Sequence, residues 1–145
     1  MRLLLDTSVL VAAMVEAHPN HTAALPWLQR AKGPEDTVLV AAHTIAELYA
    51  VLTTLPIRPS ISPTAARELI SRNISGSVEV VSLAGEDYFK LIDELSGQGI
   101  VGGVTYDAVI MQSARKANAD QVITLNATDF GRISPDWTAR IVTPT

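Results

Sequence analysis

Along this chain, short apolar runs alternate with longer segments in which apolar residues return every three to four positions. The short runs are Arg2 to Leu5, Thr37 to Val40, Val78 to Val81, Gln121 to Leu125 and Arg140 to Thr143. Rich in Val, Ile and Leu and mostly without polar alternation, they predict strands buried on both faces. The longer segments predict helices. Val9, Leu10, Ala13 and Met14 share one helical face, and Ala24, Trp27, Leu28 and Ala31 share another. Ser62 followed by Pro63 is an N-cap with proline at the first helical position, opening a helix over Pro63 to Ser75. Ala84 to Ser96 and Tyr106 to Ala117 complete the set, and Leu55 to Pro63, LPIRPSISP, reads as a bend between helices.

Strands separated by helices predict a parallel sheet covered on both sides, a doubly wound three-layer α/β/α sandwich. With 145 residues, no repeat and no shift of composition, a single domain over 1–145 is expected. The chain has no cysteine, which excludes disulfides, thiolate metal sites and thiol nucleophiles and suits a reducing cytoplasm. Asp6 breaks the only N-terminal apolar run after three leucines, and no uncharged stretch reaches the ~20 apolar residues of a membrane span. A soluble, cytoplasmic protein without membrane association is therefore expected. The net charge of −4, from 11 basic and 15 acidic residues, argues against a broad basic surface for nucleic acid. Acids gathered around divalent cations would present a different field locally.

The acids change the picture because of where they fall. Open parallel sheets bind ligands beyond the carboxyl ends of their strands. Asp6 directly follows the first predicted strand in RLLLDTS, and Glu47 lies in the first turns of the helix after the second, in AAHTIAELYA. Asp107 starts a helix in GGVTYDAVI, while Asn126 and Asp129 follow the fourth strand in TLNATDF. Each has a purely local account as well. Asp6 can cap a helix, although Thr7 and Ser8 can too; Thr44 to Glu47 has the spacing of a capping box. Asp107 gains from a helix dipole, and Asp129 with Asn126 suits a turn.

Taken together, the acids point further. Carboxylates brought close repel, and one must take up a proton unless a cation intervenes. Oxygen-only ligands favour Mg²⁺ or Mn²⁺ over zinc. One such ion, or two about 4 Å apart, supports in-line phosphodiester hydrolysis without a protein nucleophile.

The motifs LLLDTSVLVA, AELYAVL, GGVTYDAVIMQSARKANA and VITLNATDF, in this order and spacing, resemble the PIN domain, most closely the VapC-type toxins of toxin–antitoxin pairs. The resemblance runs from Leu3 to about Val142. It implies a five-stranded, mostly parallel sheet between helices and a Mg²⁺- or Mn²⁺-dependent endoribonuclease holding one or two ions. By motif, Asp6, Glu47, Asp107 and Asp129 match the family's four acids as catalytic and metal-binding residues. Asn126, Thr7, Ser8, Thr105 and Thr124 are supporting groups around them. Asp6 and Asp107 would hold the main metal. The resemblance further implies an RNA substrate, a homodimer and a small cognate antitoxin that covers the acidic pocket.

Other features read more plainly. His18 and His21 in HPNH lack a third ligand and suit a helix entrance with Asn20 as cap. His43 precedes the helix that carries Glu47, as a residue bordering the pocket or as a loop or helix-start residue, and Gly99, Gly102 and Gly103 suit a tight loop before Asp107. No glycine-rich dinucleotide or nucleoside-triphosphate motif is present. Trp27, Tyr49, Phe89 and Trp137 are expected to pack, because they form no interleaved basic and aromatic strip. Arg132, just past Asp129, is a candidate RNA contact or a solvated turn residue. Two competing functions remain: phosphotransfer through an aspartyl nucleophile at Asp6, and a non-catalytic PIN-like module that binds RNA or protein.

Overall fold

The computed structural model of the chain describes residues 1–74 and 76–145. Among them the order is β1 (Arg2–Leu5), α1 (Thr7–Met14), α2 (His21–Gln29), a 3₁₀ turn (Arg30–Lys32), β2 (Thr37–Ala41) and α3 (Ala42–Thr54). Then follow α4 (Pro63–Ile74), β3 (Glu79–Val81), α5 (Gly85–Gln98), α6 (Val104–Lys116), β4 (Gln121–Ile123), α7 (Ala127–Ile133), a 3₁₀ turn (Pro135–Arg140) and β5 (Ile141–Val142). The strands form one sheet in the order β3-β2-β1-β4-β5, every pairing parallel.

β1 is the middle strand, and its sequence explains why. Leu4 pairs with Leu39 of β2 on one side and with Val122 of β4 on the other, and Leu3, Leu4 and Leu5 are fully buried. Side chains alternate across the sheet. Leu3 and Leu5 join Val38, Val40, Leu10, Leu48 and Leu52 in a core on one face, while Leu4 joins Leu39, Ile110, Met111 and Phe130 in a core on the other. A polar residue on either face would be buried without water, so only an unbroken apolar run fits. Truncating Leu4 to Ala would cost on the order of 2–5 kcal/mol.

Several element ends differ from the sequence expectation. β4 stops at Ile123 rather than Leu125 because side chains take over its backbone bonds: Ser8 Oγ accepts from the Leu125 N–H at 3.1 Å and Thr124 Oγ1 from the Asn126 N–H at 2.9 Å. α2 begins at His21 with Asn20 in the N-cap position, as expected, although the Asn20 side chain makes no capping bond. α6 begins early, at Val104, after a turn in which Gly99 and Gly102 adopt positive φ. α4 opens as expected, with Ser62 Oγ accepting from the Ala65 N–H at 3.1 Å; Ser75, its expected last residue, lies outside the described residues.

Trp137 is buried as expected, whereas Phe89 does not pack: it is 74% exposed, beside exposed Ile92 on α5. Among the described residues no helix is long and apolar enough to cross a membrane.

Candidate active site

In the order β3-β2-β1-β4-β5 the direction of winding reverses between β1 and β4, and the crevice beyond their carboxyl ends is where such a sheet can admit a ligand. Asp6 occupies that point. Its backbone N–H donates to the Ile123 carbonyl at 2.9 Å, continuing the β1–β4 ladder by one residue, and its side chain is only 2% exposed. It stands at the N-cap position of α1, yet its carboxylate makes no capping bond. Oδ2 instead accepts from the Ser8 hydroxyl at 2.7 Å and from the buried Thr124 hydroxyl at 2.8 Å. Burial pushes the Asp6 carboxyl above its ordinary value, against the pull of those two hydroxyls.

Asp107 lies in the first turn of α6. Its pKa is pushed up to about 7, first by burial and then by the negative charges of Asp6, Asp129 and Glu47. All four acids expected from the sequence are therefore near enough to act on one carboxyl. Asp6, Glu47 and Asp107 line one cleft with Ser8, Asn20, Asn126 and apolar Val51 and Leu55; Asp129 acts on Asp107 from outside that lining. A second depression, beside α5 and α6, is lined by Lys90, Glu94, Gln112 and Asp136 and holds none of the four.

Glu47 corrects one expectation. β2 runs straight into α3, with Ala41 at the N-cap, so Thr44 lies inside the helix and the Thr44–Glu47 capping box does not form. Thr44 instead receives a hydrogen bond from the Thr7 hydroxyl at 3.0 Å, bracing α1 against α3. Glu47 Oε2 lies 3.0 Å from His43 Nε2, one turn earlier; with an ionised carboxylate as acceptor, that nitrogen donates. The His43 ring in turn stacks on Tyr106, the neighbour of Asp107, with centroids 5.1 Å apart and planes 5° from parallel. The sequence allowed His43 at the border of the pocket but showed neither its contact with Glu47 nor its stack on Tyr106.

Asp129 sits in the first turn of α7 and pairs at 3.6 Å with Arg132, one turn on. Three of the four acids thus have a cationic or donating neighbour of their own. Among the described residues, no three His, Asp or Glu side chains converge on a single point as metal ligands would. Thr7, Ser8, Thr124 and Asn126 surround Asp6 as expected, but Thr105 does not: it lines a groove with Ile92, Leu95 and Val101. His21 bonds the Ala12 carbonyl at 2.9 Å, so the HPNH segment is tied to α1 at the mouth of the cleft. No lysine lines the cleft among the described residues, and Ser8 holds Asp6 Oδ2, which leaves an aspartyl nucleophile without its usual partner.

The family model described as the PIN domain matches residues 3–134. The chain belongs to the PIN-domain family. Among PIN relatives, the chain is 36% identical to Ribonuclease VapC40 of Mycobacterium tuberculosis over 114 residues, covering 79% of each. Its PIN fold is similar to that of VapC20 from Mycobacterium tuberculosis, described as a Sarcin-Ricin loop cleaving toxin, with TM-score 0.70 and 17% identity over 92% of this chain and 94% of that one. It is similar also to VapBC2 from Rickettsia felis, solved with a DNA fragment from their promoter, with TM-score 0.67 and 21% identity over the whole of both chains.

Proposed function

We propose that this PIN domain is a divalent-metal-dependent endoribonuclease, the toxin of a toxin–antitoxin pair, acting in the cytoplasm as a single folded unit. One observation carries the reading: a buried aspartate at the switch point of the sheet shares a cleft with a second one, whose pKa is raised to about 7 first by burial and then by three neighbouring carboxylates. The relationship to Ribonuclease VapC40 supports RNA as the substrate.

The donor set fits a hard cation, since every candidate ligand is a carboxylate oxygen and the cleft carries uncompensated negative charge. Asp6 and Asp107 would hold it, with Glu47 completing the set through the oxygen that His43 leaves free and Asp129 once turned from Arg132. When bound, a Mg²⁺ or Mn²⁺ ion polarises a phosphoryl oxygen and makes water a stronger nucleophile at neutral pH. The residues of the chain do the rest. Ser8 and Thr124 fix the Asp6 carboxylate so that it cannot rotate away, and Glu47 or Asp129 orients the attacking water with help from Asn126. The water oxygen bonds to phosphorus as the bond from phosphorus to O3′ breaks, leaving 5′-phosphate and 3′-hydroxyl ends.

Induced expression of wild type and Asp6→Asn, with cellular RNA ends mapped and co-purifying small proteins identified, tests this reading. The variant is expected to lose cleavage by at least about 100-fold while staying folded, since an amide can still accept from Ser8 and Thr124. Identical RNA ends and equal toxicity from both proteins would overturn the assignment; 2′,3′-cyclic phosphate ends would overturn the water mechanism. The likeness to VapBC2 supports an antitoxin partner, and exposed Phe89, Ile92 and Val101 support a homodimer by offering apolar surface that water solvates poorly.

A further inference from the structure

We infer that His43 is a positioning residue that, clamped by Tyr106, holds one oxygen of Glu47 so that the other is presented to the acidic cleft. The inference rests on the proposed metal-dependent reading and deepens it. Glu47 sits in α3 with a partly exposed side chain and three rotatable bonds, so by itself it would sample many positions. His43 Nε2 reaches Oε2 at 3.0 Å across one helical turn, which leaves Oε1 for the cleft that Glu47 lines.

A histidine on a helix surface is itself mobile, and the structure removes that freedom. The Tyr106 ring lies parallel to the imidazole, 5° apart at 5.1 Å between centroids, and though exposed it is carried on the first turn of α6 beside Asp107. The chain of contacts Glu47–His43–Tyr106 therefore spans from α3 to α6 and sets the second acid against the third. Side chains that fix a ligating carboxylate from behind govern metal affinity by 10–100-fold in comparable sites.

The test uses the full chain as wild type, His43→Phe, His43→Gln and Tyr106→Ala. Mn²⁺ binding is followed by calorimetry and by the spin-resonance signal of free Mn²⁺, and kcat and KM are measured on an RNA that the wild type cuts. His43→Phe keeps a stacking ring without a donor and is expected to bind Mn²⁺ about 10-fold more weakly, with kcat lowered and KM for RNA unchanged. His43→Gln carries an amide donor of similar reach and is expected to recover most of that loss. Tyr106→Ala keeps the donor without the clamp and is expected to weaken Mn²⁺ binding less than His43→Phe. A structural role alone would lower the thermal midpoint of both His43 variants and leave Mn²⁺ affinity unmoved. Wild-type affinity in His43→Phe, or equal loss in His43→Gln, overturns the inference while leaving the nuclease reading intact. A wild type that binds no Mn²⁺ but still cuts RNA overturns the metal reading and this inference with it.

Discussion

The Thr124 hydroxyl, just past β4, donates a 2.8 Å hydrogen bond to Asp6 Oδ2, just past β1. Both groups are buried, so neither can turn to water as an alternative partner. This bond ties the two strands at the point where the candidate site opens. Its removal should be felt both in stability and in chemistry.

Thr124→Val keeps the shape of the side chain and deletes the donor. It should lower stability by about 1–3 kcal/mol, because a buried carboxylate loses one of its hydrogen bonds. Urea unfolding checks this, read as a lower midpoint with unchanged slope. In an Asp6→Asn background the same change should cost less, since the acceptor is no longer an ion; equal costs in both backgrounds would mean the bond contributes no special stability.

The acidic cluster should make the metal-free protein less stable as pH rises. Asp107 has a folded pKa of about 7, above its ordinary value of 3.8, so the folded state holds a proton that the unfolded state has released. That stabilisation is complete below about pH 4 and disappears as pH climbs through 7. Burial raises the Asp6 carboxyl too, in the same direction. With chelator present, the thermal midpoint should be lower at about pH 8 than at about pH 6, and added Mg²⁺ or Mn²⁺ should restore it. Asp107→Asn should flatten this dependence. A flat profile in the wild type would mean the carboxyls are not coupled.

Arg132 is 65% exposed at its side chain and pairs with Asp129 at 3.6 Å, a geometry that contributes little stability. Arg132→Ala should change stability by less than about 0.5 kcal/mol. Its RNA contact is tested by binding at several salt concentrations, with an inactive Asp6→Asn chain as the host. A phosphate contact predicts weaker binding and a salt slope reduced by about 1. An unchanged slope would return Arg132 to the role of a partner for Asp129.

Phe89→Glu should leave the monomer fold intact, because the ring is exposed. If α5 carries the dimer contact, sedimentation should show the wild type as a dimer and the variant shifted to monomer at the same concentration. Two dimeric proteins would move the contact elsewhere on the surface.

Much of this architecture was legible in the chain. Leu3 to Leu5 could only be a strand covered on both faces, and Ser62 with Pro63 marked the start of α4 correctly. The acids stood out because each followed a predicted strand or opened a predicted helix. What the chain concealed has physical reasons. α3 starts on Ala41 and Ala42 with no polar cap, so Thr44 offered a false start two residues late. Thr124 and Leu125 look like strand residues, but only Thr124 keeps a backbone bond to β5, and the Ser8 and Thr124 hydroxyls take the N–H groups of Leu125 and Asn126. The His43–Tyr106 stack joins residues from two helices far apart in sequence, and neither residue carries a motif of its own. Phe89 was expected to pack because no interleaved basic and aromatic strip surrounds it, a test that speaks against base stacking but does not place the ring in a core.

The bond between Thr124 and Asp6 closes a span of 118 residues. A ribosome making this chain emits Asp6 118 residues before Thr124, so β1 waits for its neighbour β4 while the residues between them are made. Until then the carboxylate has only its neighbour Ser8 to hold it. The complete site, and with it the capacity to cut the RNA that surrounds a growing chain, would arise only as β4 docks.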